Sequence, residues 1–516
     1  MRRFLLAVML LAAGVASAAP SFAPRLVAAQ RHGVVVLSAL NQAVSFASPE
    51  EIEEPMPVPA SLPITAQDLA AATRAVQPLA TLQPIATAPP VVARSFVAFR
   101  DDNTTRPPDT HGAVGPNHVL TATNAAIVVH NREGAALSTA SLDNFFLPVR
   151  ESTHTFDPRV IYDRFDGRWI LTAAAGSRSA LSAALLAVSR TSDPTGTWDL
   201  FRYAADSTGK VWFDFPAAGV NERFISLTGN MYTVTDSKFD RAVVFVFDKA
   251  NLAAPAARFD PINSGGSITP VVNFDAGVTT LYFVQRWNGN SNGRGFLRLY
   301  IGSTVALTPV AFISSPTPWS TTGNGEEDFA PQQGSAIKID TGDDRIGSAV
   351  YRNGSIWTAH TIFLPVGAPT RAAVQWFQIS PTGISVQRGT FEDETNVFFY
   401  AFPSVAVNRR NDILIGLSRF SADTPASAGF GFRSGSATNF TLEIFKPGEA
   451  PYAKVGTTGN RWGDYSATAV DPRNDTDFWT IQEFAGAPVN TIDRWGTWWA
   501  QVIPPLPTAR GRAVRH

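Results

Sequence analysis

The chain, 516 residues long, contains no cysteine. Disulfides, thiol catalysis, a lipid anchor on an N-terminal cysteine and Cys-ligated metals are therefore excluded. Neither sign of charge prevails: 42 Lys and Arg face 43 Asp and Glu, and no basic patch marks a nucleic-acid partner. Charged residues make up only 16% and hydrophobic residues 45%, so most of the chain is expected to fold. The seven histidines are scattered, without HExxH or zinc spacing. A phosphate loop is missing. Helical periodicity is nearly missing too, which leaves no strand–turn–helix setting for a Gly-x-Ser-x-Gly nucleophile. No later run is long and apolar enough for a membrane-spanning helix.

What is present begins with export. MRRF is a short basic region, LLAVMLLAAGV an apolar core and ASA-AP a small-residue cleavage site. Residues 1–18 read as a signal peptide cleaved near Ala18, and the mature chain as a soluble periplasmic or extracellular protein of bacterial type. Residues 19–92 form an Ala/Pro-rich leader and linker. Within it HGVVVLSAL has the composition of a strand, and ITAQDLAAATRAVQPLA that of an amphipathic helix with Thr65 as N-cap. TLQPIATAPPVV is an extended linker, and residues 504–516 are a flexible basic tail.

From residue 93 to 503 the texture changes to short runs of β-formers bounded by Gly, Asp, Asn and Pro. A four-strand unit recurs seven times, its opening strands at 107–115, 156–163, 213–221, 268–275, 329–340, 402–408 and 462–471. Each opening strand is rich in small residues and ends at a polar turn. Aromatic and aliphatic strands follow. Small residues suit the crowded innermost strand of a β-propeller, so the expected fold is all-β with seven four-stranded blades. The irregular period leaves six or eight open. The last unit lacks a fourth strand, and residues 93–101 are a strand without a blade; the two together would close the ring.

PPDTHGAVGPNHV, DPRVIYDRFDGRWIL, SRTSDPTGTWDLFRY, FDFPAAGVNERFISLTGNMY and NRWGDYSATAVDP together resemble a largely uncharacterised group of exported bacterial β-propeller proteins. The resemblance covers residues 92–502 and implies the fold, with no settled activity to transfer. SDPTGTW (192–198) is also similar to the Asp-box of sialidase-like propellers. Its spacing departs from the box, with Asp193 three residues before Gly196 instead of two, and Asp/Pro/Gly turn chemistry accounts for every residue.

Asp109, Asp157, Asp214, Asp328 and Asp464 each fall just before, or in the first residues of, an expected inner strand, and would ring one end of the axial channel. A glycosidase needs two carboxylates about 5–10 Å apart. The plainer role is to accept hydrogen bonds from the backbone of the next blade. With His111, Arg159, Trp212, Arg461 and Tyr465 nearby, this mouth is the expected ligand site, and Asp157, Asp214, Asp464 and Tyr465 are the catalytic candidates. A sialidase-like reaction would need three arginines facing one carboxylate and a Tyr nucleophile, which Arg159, Arg461 and Tyr465 meet in part. No cofactor is expected except structural calcium at Asp471, Asp475 and Asp477, in an oxygen-rich turn that is no EF-hand. TGDDR (341–345) and GNGEEDF (323–329) read as solvated loops. Three readings follow: a binding protein for an extracellular glycan or protein, a glycoside hydrolase or lyase, and a purely structural surface component.

Overall fold

The computed structural model describes residues 21–40, 50–51, 61–74, 89–261, 266–323, 328–435, 437–456 and 459–506. The expected signal peptide and most of the C-terminal tail lie outside them. The chain is an all-β propeller built of antiparallel meanders. First strands such as His111–Val114 and Val211–Val220 carry small buried residues, and outer strands such as Thr441–Lys446 are the most exposed of their sheets. Convergence near the axis leaves room only for short side chains, while Trp, Phe and Leu of the middle strands fill the widening gaps between sheets.

Five sheets stand alone as blades, where seven were expected. They span residues 111–141, 155–204, 268–315, 399–446 and 467–503. The strands expected to make two further blades, 211–259 and 346–391, belong instead to one ten-stranded sheet. The two-residue strand Val272–Asn273 joins them, pairing parallel with Val220 on one side and with Val350 and Tyr351 on the other. The physical reason is convergence. First strands run side by side in one direction, and where they approach closely enough they bond to each other directly. The first strands of the five blades and of the two halves of the large sheet touch in a closed circuit.

A second correction concerns residues 329–340, expected to be an inner strand. Asp328–Gln332 and Ser335–Asp340 instead form a separate two-stranded hairpin. The inner strand of that unit is Ile346–Arg352, whose Gly347, Ser348 and Ala349 are the small residues the axis requires. Val91–Arg100 pairs antiparallel with Ile492–Ile503 and supplies the missing fourth strand of the last sheet.

The described part of the leader lies on the propeller's rim. Phe22 bridges to Leu307, Arg25–Val27 pairs with Ala256–Phe259, and Arg31–Val36 pairs with Thr197–Ala204. Leu37 is then buried among Ala140, Leu142 and Trp198. Residues 22–37 thus run along the outer margins of four successive sheets. Helix Ala66–Arg74 is capped by Thr65, whose Oγ1 accepts the Asp68 N–H at 3.1 Å. Its Ala72 packs on Phe296 and Phe312.

Candidate functional site: the axial channel

Three of the first strands carry the same irregularity. Their register slips at Asp157–Pro158, Phe215–Pro216 and Phe402–Pro403, where the residue before proline has φ of 56°, 49° and 53°. Proline has no N–H to lose from the ladder, and a bulge places its neighbour in the left-handed region at a cost on the order of 1–3 kcal/mol. The return is directional: the N–H of the bulged residue leaves its own sheet and faces the one before it. Asp157 N–H donates to Asn124 Oδ1 at 2.7 Å, Phe215 N–H to Asp157 Oδ2 at 3.2 Å, and Phe402 N–H to Thr361 Oγ1 at 3.1 Å. Asp109, at φ 46°, accepts from the Asp464 N–H at 2.8 Å and from Asn124 Nδ2 at 2.6 Å. Asp464, Asp109, Asn124, Asp157 and Phe215 therefore form one chain of hydrogen bonds across four sheets.

Most of the expected acidic ring is gathered here. Asp109, Asp157 and Asp214 have no exposed surface. Burial first, then the neighbouring carboxylates Asp109, Asp214 and Asp464, hold the Asp157 carboxyl well above its ordinary range, and its Oδ1 has no hydrogen-bond partner. Burial, reinforced by Asp464 and opposed by Arg461, raises Asp109 to about 6. Arg461 lies between Asp340 at 3.1 Å and Asp464 at 2.9 Å, and burial raises Asp340 to about 7 despite that arginine. Asp328 sits apart on the hairpin, its two oxygens accepting the Asn460 N–H at 3.0 and 2.9 Å. Trp212 is buried against Phe156 and Tyr232 and belongs to the core, away from the channel lining.

Side chains plug this end of the axis. Tyr465, 3% exposed, reaches across to Pro158 O at 3.3 Å. The Arg159 guanidinium lies 3.3 Å from the centre of the Tyr465 ring and 5.0 Å from that of Phe215, and its Nη1 donates to Gly347 O at 3.2 Å. Arg345, bonded three times through its guanidinium to Asp343 at 2.9, 2.9 and 2.7 Å, lies 4.5 Å from the centre of the same Phe215 ring. Behind the plug runs a channel of about 850 Å³, counting its opening, lined by the small residues of the first strands. His111 and Arg159 lie at its plugged end, and Arg164, Phe274 and Pro472 at the other. No Asp or Glu lines it among the described residues. At the far end Arg164 donates to Asp475 at 2.8 Å, and Arg352 also bonds Asp475.

Sequence reasoning missed Asn124, Asp340 and Glu483, the last with its Oε2 on the Gly463 N–H at 2.9 Å. Asn124 carries no signal beyond lying in a turn. TGDDR is not a solvated loop: Asp344 pairs with Arg286 at 2.9 Å and accepts from Trp319 at 2.7 Å, wholly buried. A run of acids flanking an aromatic-rich β unit was the available clue. Part of GNGEEDF lies outside the described residues. The calcium candidates have other partners: Asp471 bonds Arg132 and Trp479, Asp475 bonds the two arginines above, and Asp477 accepts from Gln501 at 3.2 Å. Among the described residues no three His, Asp or Glu are grouped to hold a metal ion. In SDPTGTW the Asp193 side chain accepts the Thr195 N–H and Trp198 donates to Pro194 O, both at about 2.9 Å, so the motif is a locked turn.

No family model and no curated protein matches the chain. Among solved structures it is similar to the β-propeller domain of the trilobed protease from Pyrococcus furiosus, at 10% identity over 78% of this chain and 96% of that one, TM-score 0.40. A protein of unknown function from Dyadobacter fermentans matches at 10% identity over 69% and 96%, TM-score 0.39. A Trypanosoma rangeli sialidase mutant displaying trans-sialidase activity matches at 10% over 73% and 57%, TM-score 0.33. At these scores the likeness transfers no site residue and no activity.

Proposed function

We propose that this is an exported propeller that binds a glycan or protein group in its axial channel without cleaving it. The observation that carries the reading is the separation of carboxylates from open space. Asp109, Asp157 and Asp464 face a buried hydrogen-bond chain, while among the described residues no Asp or Glu lines the channel. Two carboxylates flanking a sugar bond have no place in such a lining. The ligand enters past Arg164 and Phe274, at the end opposite the acidic ring. On this reading the ten-stranded sheet counts as two blades, so that seven modules surround the ligand. Secretion belongs to the same proposal, and N-terminal sequencing of exported protein should begin near Ala19.

One observation favours the runner-up, a glycoside hydrolase or lyase: Asp157 combines a raised pKa with an unpartnered oxygen, as a general acid does. The test is a panel of polysaccharides presented to the mature protein, scoring binding and cleavage together. Binding without cleavage is expected. Cleavage that disappears in a folded Asp157→Asn variant would replace this reading by the enzyme. Calcium would have to displace arginine from Asp471 and Asp475, so EDTA is expected to leave the melting temperature unchanged.

A further inference from the structure

We infer that the plugged end of the channel is a receptor for a single carboxylate, carried by a small organic acid or an acidic sugar, with Arg159 as its anchor. The inference rests on the channel-binding reading and names the chemical class of the ligand.

Arg159 is 2% exposed, yet its Nε and Nη2 have no hydrogen-bond partner, and it forms no ion pair among the described residues. Only Nη1 is engaged, on Gly347 O. Nε–H and Nη2–H are the two parallel donors along one edge of the guanidinium, the pair that fits both oxygens of a carboxylate at once. The other two arginines at this end are already committed, Arg461 to Asp340 and Asp464, and Arg345 to Asp343. Burial pushes the Arg159 guanidinium below its usual range, and Tyr465 and the nearby acids Asp157, Asp109 and Asp464, none of them ion-paired with it, offset that only in part. Tyr465 beneath the guanidinium offsets part of this through its ring face and holds the fork rigid.

His111 adds to the donor character. Its Nδ1 accepts the Val160 N–H at 3.2 Å, and burial beside Arg159 keeps the ring neutral, so the proton sits on Nε2. His111 and Arg159 thus both offer donors at this end. One charge and one fork match a monoanion; a tetrahedral dianion would need a second cation.

The experiment titrates the mature protein with D-galacturonate, D-galactose and sulfate by calorimetry. Galacturonate is expected to bind, and galactose and sulfate to bind at least tenfold more weakly. Arg159→Gln, checked for fold by circular dichroism, is expected to lose the preference. Equal binding of galactose, tighter binding of sulfate, or an unchanged preference in folded Arg159→Gln overturns the inference. If that variant does not fold, the three ligands on the unaltered chain still decide. Polysaccharide binding indifferent to acidic groups would overturn this inference and leave channel binding standing. Galacturonate binding with no polysaccharide or protein ligand would do the reverse.

Discussion

Asn124 is the residue on which the inner hydrogen-bond chain turns, because its amide gives to Asp109 and takes from Asp157. Replacing it by Ala leaves the Asp157 N–H and an Asp109 oxygen buried without partners, and roughly 3 kcal/mol of stability should be lost, read as a shift in urea midpoint. Acids in this chain and beside it also set a pH dependence. Asp109 and Asp340, raised to about 6 and about 7, keep protons in the folded chain that they release near pH 4 once unfolded. Folded protein therefore binds more protons than unfolded between these limits, and stability declines as pH rises through them. Asp343, held low by Arg345, loses its contribution only below that window. Melting temperature is expected to rise from pH 7.5 to pH 5, with a shallower rise in Asp109→Asn; a fall over that interval would contradict the assignment.

At the scale of the strand, the inner positions are set by closeness. A methyl group on Gly112 would lie 2.3 Å from a Trp499 ring carbon across the seam between the first and last sheets. Gly112→Ala should therefore cost about 1–3 kcal/mol, measurable by chemical denaturation. The small-residue strands were legible in the sequence because this crowding selects composition directly, and the closing strand was legible because one unit was a strand short. The hairpin 328–340 was not, since FAPQQGSAIKID opens on Phe and ends on Asp as the true inner strand FDPRVIYD does. The bulges escaped for another reason: Asp-Pro and Phe-Pro read as turn or edge signals, and nothing local says that their N–H will point to the neighbouring sheet. Of the candidate site, Asp109, Asp157, Arg159, Arg461, Asp464 and Tyr465 were gathered by strand position alone. Which of them face open space depends on side chains crossing the axis, Tyr465 to Pro158 and Arg159 to Gly347, and no strand pattern encodes that.

For the molecule as a whole, the rim contacts of residues 22–37 cover the outer edges of Thr197–Ala204 and Ala256–Phe259. An uncovered edge is a template for pairing with another chain. A mature chain lacking residues 19–40 is expected to keep its circular dichroism but to elute from gel filtration as concentration-dependent oligomers. A sharp monomer at all concentrations would show that the rim segment is dispensable for solubility.

The same rim segment and the closing strand also impose an order in time. Residues 25–36 are made early, yet their partners lie at 197–204 and 256–259, and Val91–Arg100 waits for 492–503. The closing pair places most of the chain between first synthesis and final docking, and contacts so distant in sequence form slowly. The ring cannot be completed while the polypeptide is still emerging, so Val91–Arg100 must remain unpaired until the last residues arrive. That delay fits the proposed export, in which the chain would cross a membrane before it folds.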